Sequence, residues 1–161
     1  MDGWVVNASP IICLAKAGYT DLLLKLPGKI IVPKAVAEEI LAGPISDSAR
    51  QLLVTGKLPV VEIQALPEIL AWDLGKGETA VLSYTLANPG WIAVIDDLAA
   101  RKCARSFTIL IKGTLAIVIQ AKKCGLIVSA SDAMRSLQAA GLRLDNEVIR
   151  IALKQTVNEE W

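Results

Sequence analysis

The residues best able to do chemistry in this chain are acidic, because the sequence contains no histidine. That absence removes Ser-His-Asp catalysis, Cys-His catalysis and histidine-built zinc sites together. What remains is a set of carboxylates at Glu38, Glu39, Glu78, Asp96 and Asp97, with Asn7 as a further oxygen donor. Magnesium prefers octahedral oxygen coordination and binds through one or two carboxylates plus substrate phosphates. Three or four acids converging on one crevice would hold one or two such ions. The metal would orient a phosphodiester, offset charge on the leaving oxygen and lower the pKa of an attacking water.

Each acid also has a plainer reading. Glu78 lies in the opening turn of a predicted helix, three and four residues before Val81 and Leu82. A carboxylate there complements the helix dipole, an effect of about 0.3–1 kcal/mol. Asp96 and Asp97 follow the apolar run 91–95, and either can cap the next helix. Two adjacent carboxylates at a strand tip nevertheless build negative charge that only a cation or basic side chains relieve. Glu38 and Glu39 flank a buried stripe of Val36, Ala37, Ile40 and Leu41 on opposite sides, so periodicity does not choose between them. Arg101, Lys102, Arg105 and Lys112 could line a local basic patch beside the acids, where phosphates would be positioned. Basic residues near a helix C-terminus also simply favour the dipole. The glycines around Lys76 lack the spacing of a phosphate loop, and no strand leads into them.

Positioning these acids falls to short β-branched runs alternating with helix-length segments, the pattern of a parallel sheet with crossover helices. Strands are expected at 4–6, 29–32, 59–63, 91–95 and 107–111. Helices are expected from Ser9-Pro10 to Lys16, from Thr20 to Pro27, at 33–42, from Ser46-Asp47 to Gly56, at 77–87, 97–105, 114–124, 131–140 and 146–157. In such a sheet, ligands sit beyond the carboxyl ends of the strands. Asn7 follows the first strand and Asp96-Asp97 the fourth.

A chain of 161 residues suits a single domain spanning 1–161. Its 17 basic and 16 acidic residues give a net charge of +1, so any nucleic-acid surface must be local. Apolar residues make up 53% and aromatics only 4%, which implies an aliphatic core and leaves surface for a homodimer or higher homo-oligomer. Cys13, Cys103 and Cys124 form no CxxC pair and read as free core thiols in a reducing compartment. With no apolar stretch long enough for a bilayer and no leader pattern, a cytoplasmic protein without membrane contact is expected.

The segments carrying the acids resemble the PIN-domain family. Its members open with a strand ending in an acid, then a small residue, Ser or Thr, and a helix; here the segment reads Val5-Val6-Asn7-Ala8-Ser9-Pro10. A strand, a proline and a glutamate-bearing helix follow as Val32-Pro33 to Glu39-Ile40, then Gly77-Glu78 at a helix start. Paired aspartates with a following arginine come next, Asp96-Asp97 to Arg101, and then Gly113-Thr114 before a helix. The resemblance implies a three-layer α/β/α fold with a mainly parallel central sheet. It also implies a Mg2+- or Mn2+-dependent endoribonuclease of the VapC type, the toxin of a toxin–antitoxin pair, with RNA as substrate and a small antitoxin as partner. It favours Glu39 over Glu38, and makes Glu39, Glu78, Asp96 and Asp97 the catalytic and metal-holding acids. Of the aspartates, Asp97 is slightly preferred as the inward one, and Ser9, Arg101 and Thr114 are the candidates for positioning substrate. Asn7 stands where the family has its first acid. It can offer a carbonyl oxygen but carries no charge, so the alternative reading is a nuclease-dead PIN fold that binds RNA or protein.

Overall fold

A computed structural model of the chain describes residues 2–44 and 47–161. Strand β1 (Gly3–Val6) leads into α1 (Ala8–Lys16) and α2 (Thr20–Lys25), and β2 (Lys29–Pro33) into α3 (Lys34–Leu41) and α4 (Ser48–Val54). Strand β3 (Val60–Val61) is followed by α5 (Pro67–Leu70) and α6 (Lys76–Ala87), and β4 (Ile92–Val94) by α7 (Leu98–Ser106). Finally β5 (Ile111–Lys112) precedes α8 (Thr114–Lys123), α9 (Ala130–Ala139) and α10 (Asn146–Val157).

The strands form one sheet in the order β3-β2-β1-β4-β5, and every pairing is parallel. Parallel neighbours need a crossover rather than a hairpin, which accounts for helices between successive strands. Trp4, Val5 and Val6 of β1 are all fully buried, as required of a strand covered on both faces. Ile11 and Leu14 of α1, Val81 and Leu82 of α6, and Ile117 and Val118 of α8 are also fully buried within the one apolar core. The result is the three-layer α/β/α arrangement expected from the sequence. From β1 the chain builds outward through β2 and β3, then returns through α5 and α6 to the other side of β1 for β4 and β5. The strand order therefore reverses between β1 and β4, and the crevice beyond their carboxyl ends is the preferred ligand position in such sheets.

Several local expectations need correction. The strand expected over 107–111 is shorter and lies later, at Ile111–Lys112. Helix α7 instead continues to Ser106, Phe107 caps it, and Thr108 takes a left-handed backbone with φ 56°. The Ile109 N–H closes that turn on the Ala104 carbonyl at 2.9 Å, so the chain joins β4 only from Leu110, whose carbonyl accepts the Ala93 N–H at 2.9 Å. Helix α1 starts at Ala8 with Asn7, not Ser9, at its N-cap position. Pro33 ends β2 and stands at the N-cap of α3 rather than opening the helix. Helix α4 begins at Ser48, capped by Asp47, whose carboxylate accepts the Ala49 N–H at 2.9 Å; Ser46 lies outside the described residues. The short helix α5 had no sequence signal beyond Pro67 in its first turn. All three cysteines are free, but Cys124 is exposed rather than in the core.

The segment after α10 is fastened by a carboxylate. Asn158 turns into the left-handed region, and Glu159 accepts the Ala130 N–H at 2.9 Å, the Ser131 N–H at 3.0 Å and the Ser129 hydroxyl at 3.2 Å. Those amides are the unsatisfied donors of the first turn of α9. Burial alone pushes the Glu159 carboxyl up, but these donors together hold it below the usual glutamate range. Its stabilisation is thus fully present above the unfolded glutamate value of about 4.3 and is lost as pH falls through the lower folded value. Glu159→Ala is expected to cost about 1–2 kcal/mol, the range for losing a helix cap. Thermal melts should show a Tm drop of about 2–6 °C at neutral pH that shrinks in acid; a drop independent of pH would assign Glu159 a packing role only.

Candidate functional site

Asn7 sits at the point where the strand order reverses. Its backbone N–H donates to the Val94 carbonyl at 3.0 Å, which extends the β1·β4 pairing by one residue. Its side chain, only 3% exposed, lies beneath the start of α6. There the amide Nδ2 donates to Glu78 Oε1 at 3.2 Å, while Oδ1 is buried with no hydrogen-bond partner. Close approach of α6 depends on Gly77, where a Cβ would stand 3.1 Å from Asn7 Oδ1 and 3.3 Å from Val36 Cγ2. The other Glu78 oxygen folds back over the helix start, 2.5 Å from where a Cβ on Gly75 would be. Glu78 therefore faces its own helix N-terminus and Asn7 at once, so the dipole role and the ligand role do not compete.

Glu39 joins this pair from α3. Its carboxyl is pushed above the usual range, first by partial burial and then by the charge of Glu78. Glu38 lines a different hollow, with Lys34 and Glu62. The helical pattern could not make this distinction, because both glutamates flank the buried stripe.

Asp96 lies on the other side of Asn7, past the end of β4. Oδ1 accepts the Thr114 N–H at 2.8 Å and Oδ2 accepts the Thr114 hydroxyl at 2.6 Å. Thr114 is fully buried at the start of α8, so it holds Asp96 rather than facing a substrate. Arg101 donates to the Ile95 carbonyl at 3.2 Å and crosses Gly113. A Cβ on Gly113 would stand 2.7 Å from its guanidinium and 3.0 Å from Asp96 Oδ1. The charge of Asp96 reaches α1, where it adds to burial in raising the Cys13 pKa, while a hydrogen bond with Ser9 lowers it. Ser9 is exposed at the start of α1.

Asp97, the aspartate preferred from sequence, is exposed and caps α7 by accepting the Ala100 N–H at 2.9 Å. The acids nearest the crevice are therefore Glu39 and Glu78 on one side of Asn7 and Asp96 on the other. Among the described residues no three carboxylate or cysteine side chains gather into a single cage. None of Glu39, Glu78 and Asp96 forms an ion pair among those residues either. Unneutralised acids at a strand edge are the arrangement a cation relieves. An all-oxygen set with two carboxylates on one side fits a hard divalent ion that keeps several waters.

The basic residues also separate. Lys112 turns away from the crevice, donating to Gln120 Oε1 at 2.6 Å and lying 4.9 Å over the Trp4 ring; burial lowers its pKa. Arg101 and Arg105 instead line a cavity of about 370 Å³ that begins at Asp96, and Arg143 from the α9–α10 loop joins them. No motif pointed to Arg143, because its place depends on how that loop packs beside α7.

Among the described residues no helix is long and apolar enough to cross a membrane. No curated protein and no solved structure matches the chain. A family model described as PIN domain does match, across residues 3–158. That match takes in β1, both flanks of the crevice and the whole of α10. The chain belongs to the PIN-domain family, whose members are nuclease-type domains that generally use divalent metals.

Proposed function

We propose that this protein is a Mg2+- or Mn2+-dependent endoribonuclease. The observation that carries the reading is the set of unpaired carboxylates Glu39, Glu78 and Asp96 around the crevice, with Asn7 at its centre. Glu39 and Glu78 would hold the ion, with Asp96 facing it across Asn7 and Asp97 at the rim. A divalent ion bound there supplies positive charge at the scissile phosphate and lowers the pKa of an attacking water. The chain's own contributions are positional. Thr114 fixes both oxygens of Asp96, Asn7 fixes one oxygen of Glu78, and Arg101 stands over Gly113 where a phosphate would approach.

The biological setting belongs to the same proposal. The enzyme acts in the cytoplasm as the toxin of a toxin–antitoxin pair, and a small antitoxin covers the crevice to restrain it. A homodimer or higher homo-oligomer is part of the same proposal, with the exposed side chains of Leu110, Val128 and Ile151 as apolar surface available to it.

A second reading has its own observation. The Asn7 amide gives Glu78 a neutral hydrogen-bond partner at 3.2 Å, which satisfies one of its oxygens without any cation. A nuclease-dead PIN fold that binds RNA or protein would be built this way. The deciding experiment is cleavage of a mixed single-stranded RNA pool with manganese, with magnesium and with chelator. Cutting that chelator stops is the expected result; an uncut pool under all three conditions favours the binding module.

A further inference from the structure

The cavity beside Asp96 has a composition that the acidic crevice does not explain. One wall is α7, where Leu98, Arg101 and Arg105 recur at helical spacing on a single face. The opposite wall is aliphatic, formed by Leu115 and Ile119 of α8 and Val148 of α10, and Arg143 stands at the rim. Leu98 is 80% exposed and Val148 49%, so the apolar surface at the mouth is open to solvent. Arg101, Arg105 and Arg143 make no ion pair among the described residues. An apolar slot ringed by three unpaired guanidiniums suits an occupant with a flat apolar face and negative charge at its edge.

Building on the ribonuclease reading above, we propose that this cavity is a subsite for single-stranded RNA, holding the nucleotide next to the scissile phosphate. The base enters between Ile119 and Val148, and Arg105 and Arg143 take the flanking phosphates. Three observations favour this occupant. Asp96 itself lines the cavity, so a strand with its scissile phosphate at the crevice can run directly into it. Its volume of about 370 Å³ lies near the small end of the range for sites that hold one compact ligand, roughly 300–1,000 Å³. An amphipathic peptide would instead need an extended groove with anchors along several helical turns. Guanidiniums also suit a nucleotide on two counts, pairing with phosphate and stacking on a base plane. The subsite lies wholly on the β4-β5 side, so it reads nucleotides on one side of the cut only.

The test uses the full chain, with binding and cleavage measured separately. A short fluorescent oligouridylate is titrated in chelator, where no cutting occurs, and anisotropy gives the affinity. Arg105→Ala/Arg143→Ala should weaken binding about tenfold or more. It should also reduce the slope of log affinity against log salt by about 0.7 for each phosphate no longer neutralised. Val148→Glu, which places a carboxylate at the mouth, should weaken binding comparably. Both variants should raise KM for metal-dependent cleavage with kcat nearly unchanged. Arg105, Arg143 and Val148 are exposed, so the Tm should hold. If the variants bind and cut as wild type does, the subsite is overturned while the nuclease reading stands. If wild type neither binds nor cuts the oligonucleotide, the nuclease reading fails and takes the subsite with it. Unchanged RNA affinity with abolished binding of an acidic amphipathic peptide assigns the cavity to a protein partner and overturns the proposal.

Discussion

Glu78→Gln is expected to lower metal-dependent RNA cleavage by about a hundredfold or more while leaving the fold in place. The substitution keeps the shape of the side chain and an oxygen able to accept the Asn7 amide proton, now made at 3.2 Å. It removes the charge. The structural cost is bounded by the helix dipole, since Glu78 stands in the first turn of α6, where an anion is favoured by about 0.3–1 kcal/mol. For a domain of this length that is a Tm change of no more than about 4 °C. Loss of one preorganised electrostatic partner at a reacting centre typically costs 10²–10³ in rate, or about 3–4 kcal/mol. The two roles therefore separate by magnitude. Initial rates with manganese, set beside thermal melts of the same preparations, distinguish them; full activity in the variant would leave Glu78 as a helix-dipole residue and remove it from the site.

Much of this architecture is legible in the sequence because it follows from period and punctuation. The apolar runs at 4–6 and 91–95 and the glycine and proline stops give the alternation of strands and helices, and parallel pairing follows from helix-length connections. The strand expected at 107–111 is misplaced by the pattern, for a local reason. The β-branched residues there, Thr108, Ile109 and Ile111, follow directly on the C-terminus of α7, and the helix keeps Phe107 and Thr108 for its own termination. The functional residues divide in the same way. Asn7, Glu78 and the Asp96-Asp97 pair follow from their positions after strands or at a helix start, and the sheet brings the ends of β1 and β4 together. Glu39 could not be separated from Glu38 by pattern, since only the packing of α3 against α6 decides which one feels the charge of Glu78. Asp96 and Asp97 pose the same problem at a strand tip, where one carboxylate is taken by Thr114 and the other by the cap of α7. Arg143 could not be found at all, because a loop residue far along the chain carries no periodic signal.

Asn7→Asp should convert a hydrogen-bonded pair into a cation-dependent one. In the natural chain the Asn7 amide donates to Glu78 Oε1. An aspartate in the same place sets carboxylate oxygen against carboxylate oxygen, with the new side chain almost wholly buried. Two like charges about 4 Å apart repel by about 4 kcal/mol at an effective dielectric near 20, and protonation of one carboxylate offsets part of this. In chelator the variant should therefore be less stable than wild type by about 1–3 kcal/mol, a Tm drop of about 3–10 °C. Manganese should reverse the loss, because an ion that binds only the folded state adds about 2.7 kcal/mol at a hundred times its Kd. The natural protein should show a smaller manganese effect on Tm, since its Glu78 oxygen already has a partner. Cleavage should rise in the variant under the same conditions. Manganese-dependent recovery of Tm together with faster cutting identifies Asn7 as the residue that attenuates a nuclease centre. Cutting by the natural protein at the variant's rate makes Asn7 an adequate oxygen donor. A variant that is destabilised in chelator and gains nothing from manganese shows that Glu39, Glu78 and residue 7 do not converge on an ion, and the proposed centre fails at its core.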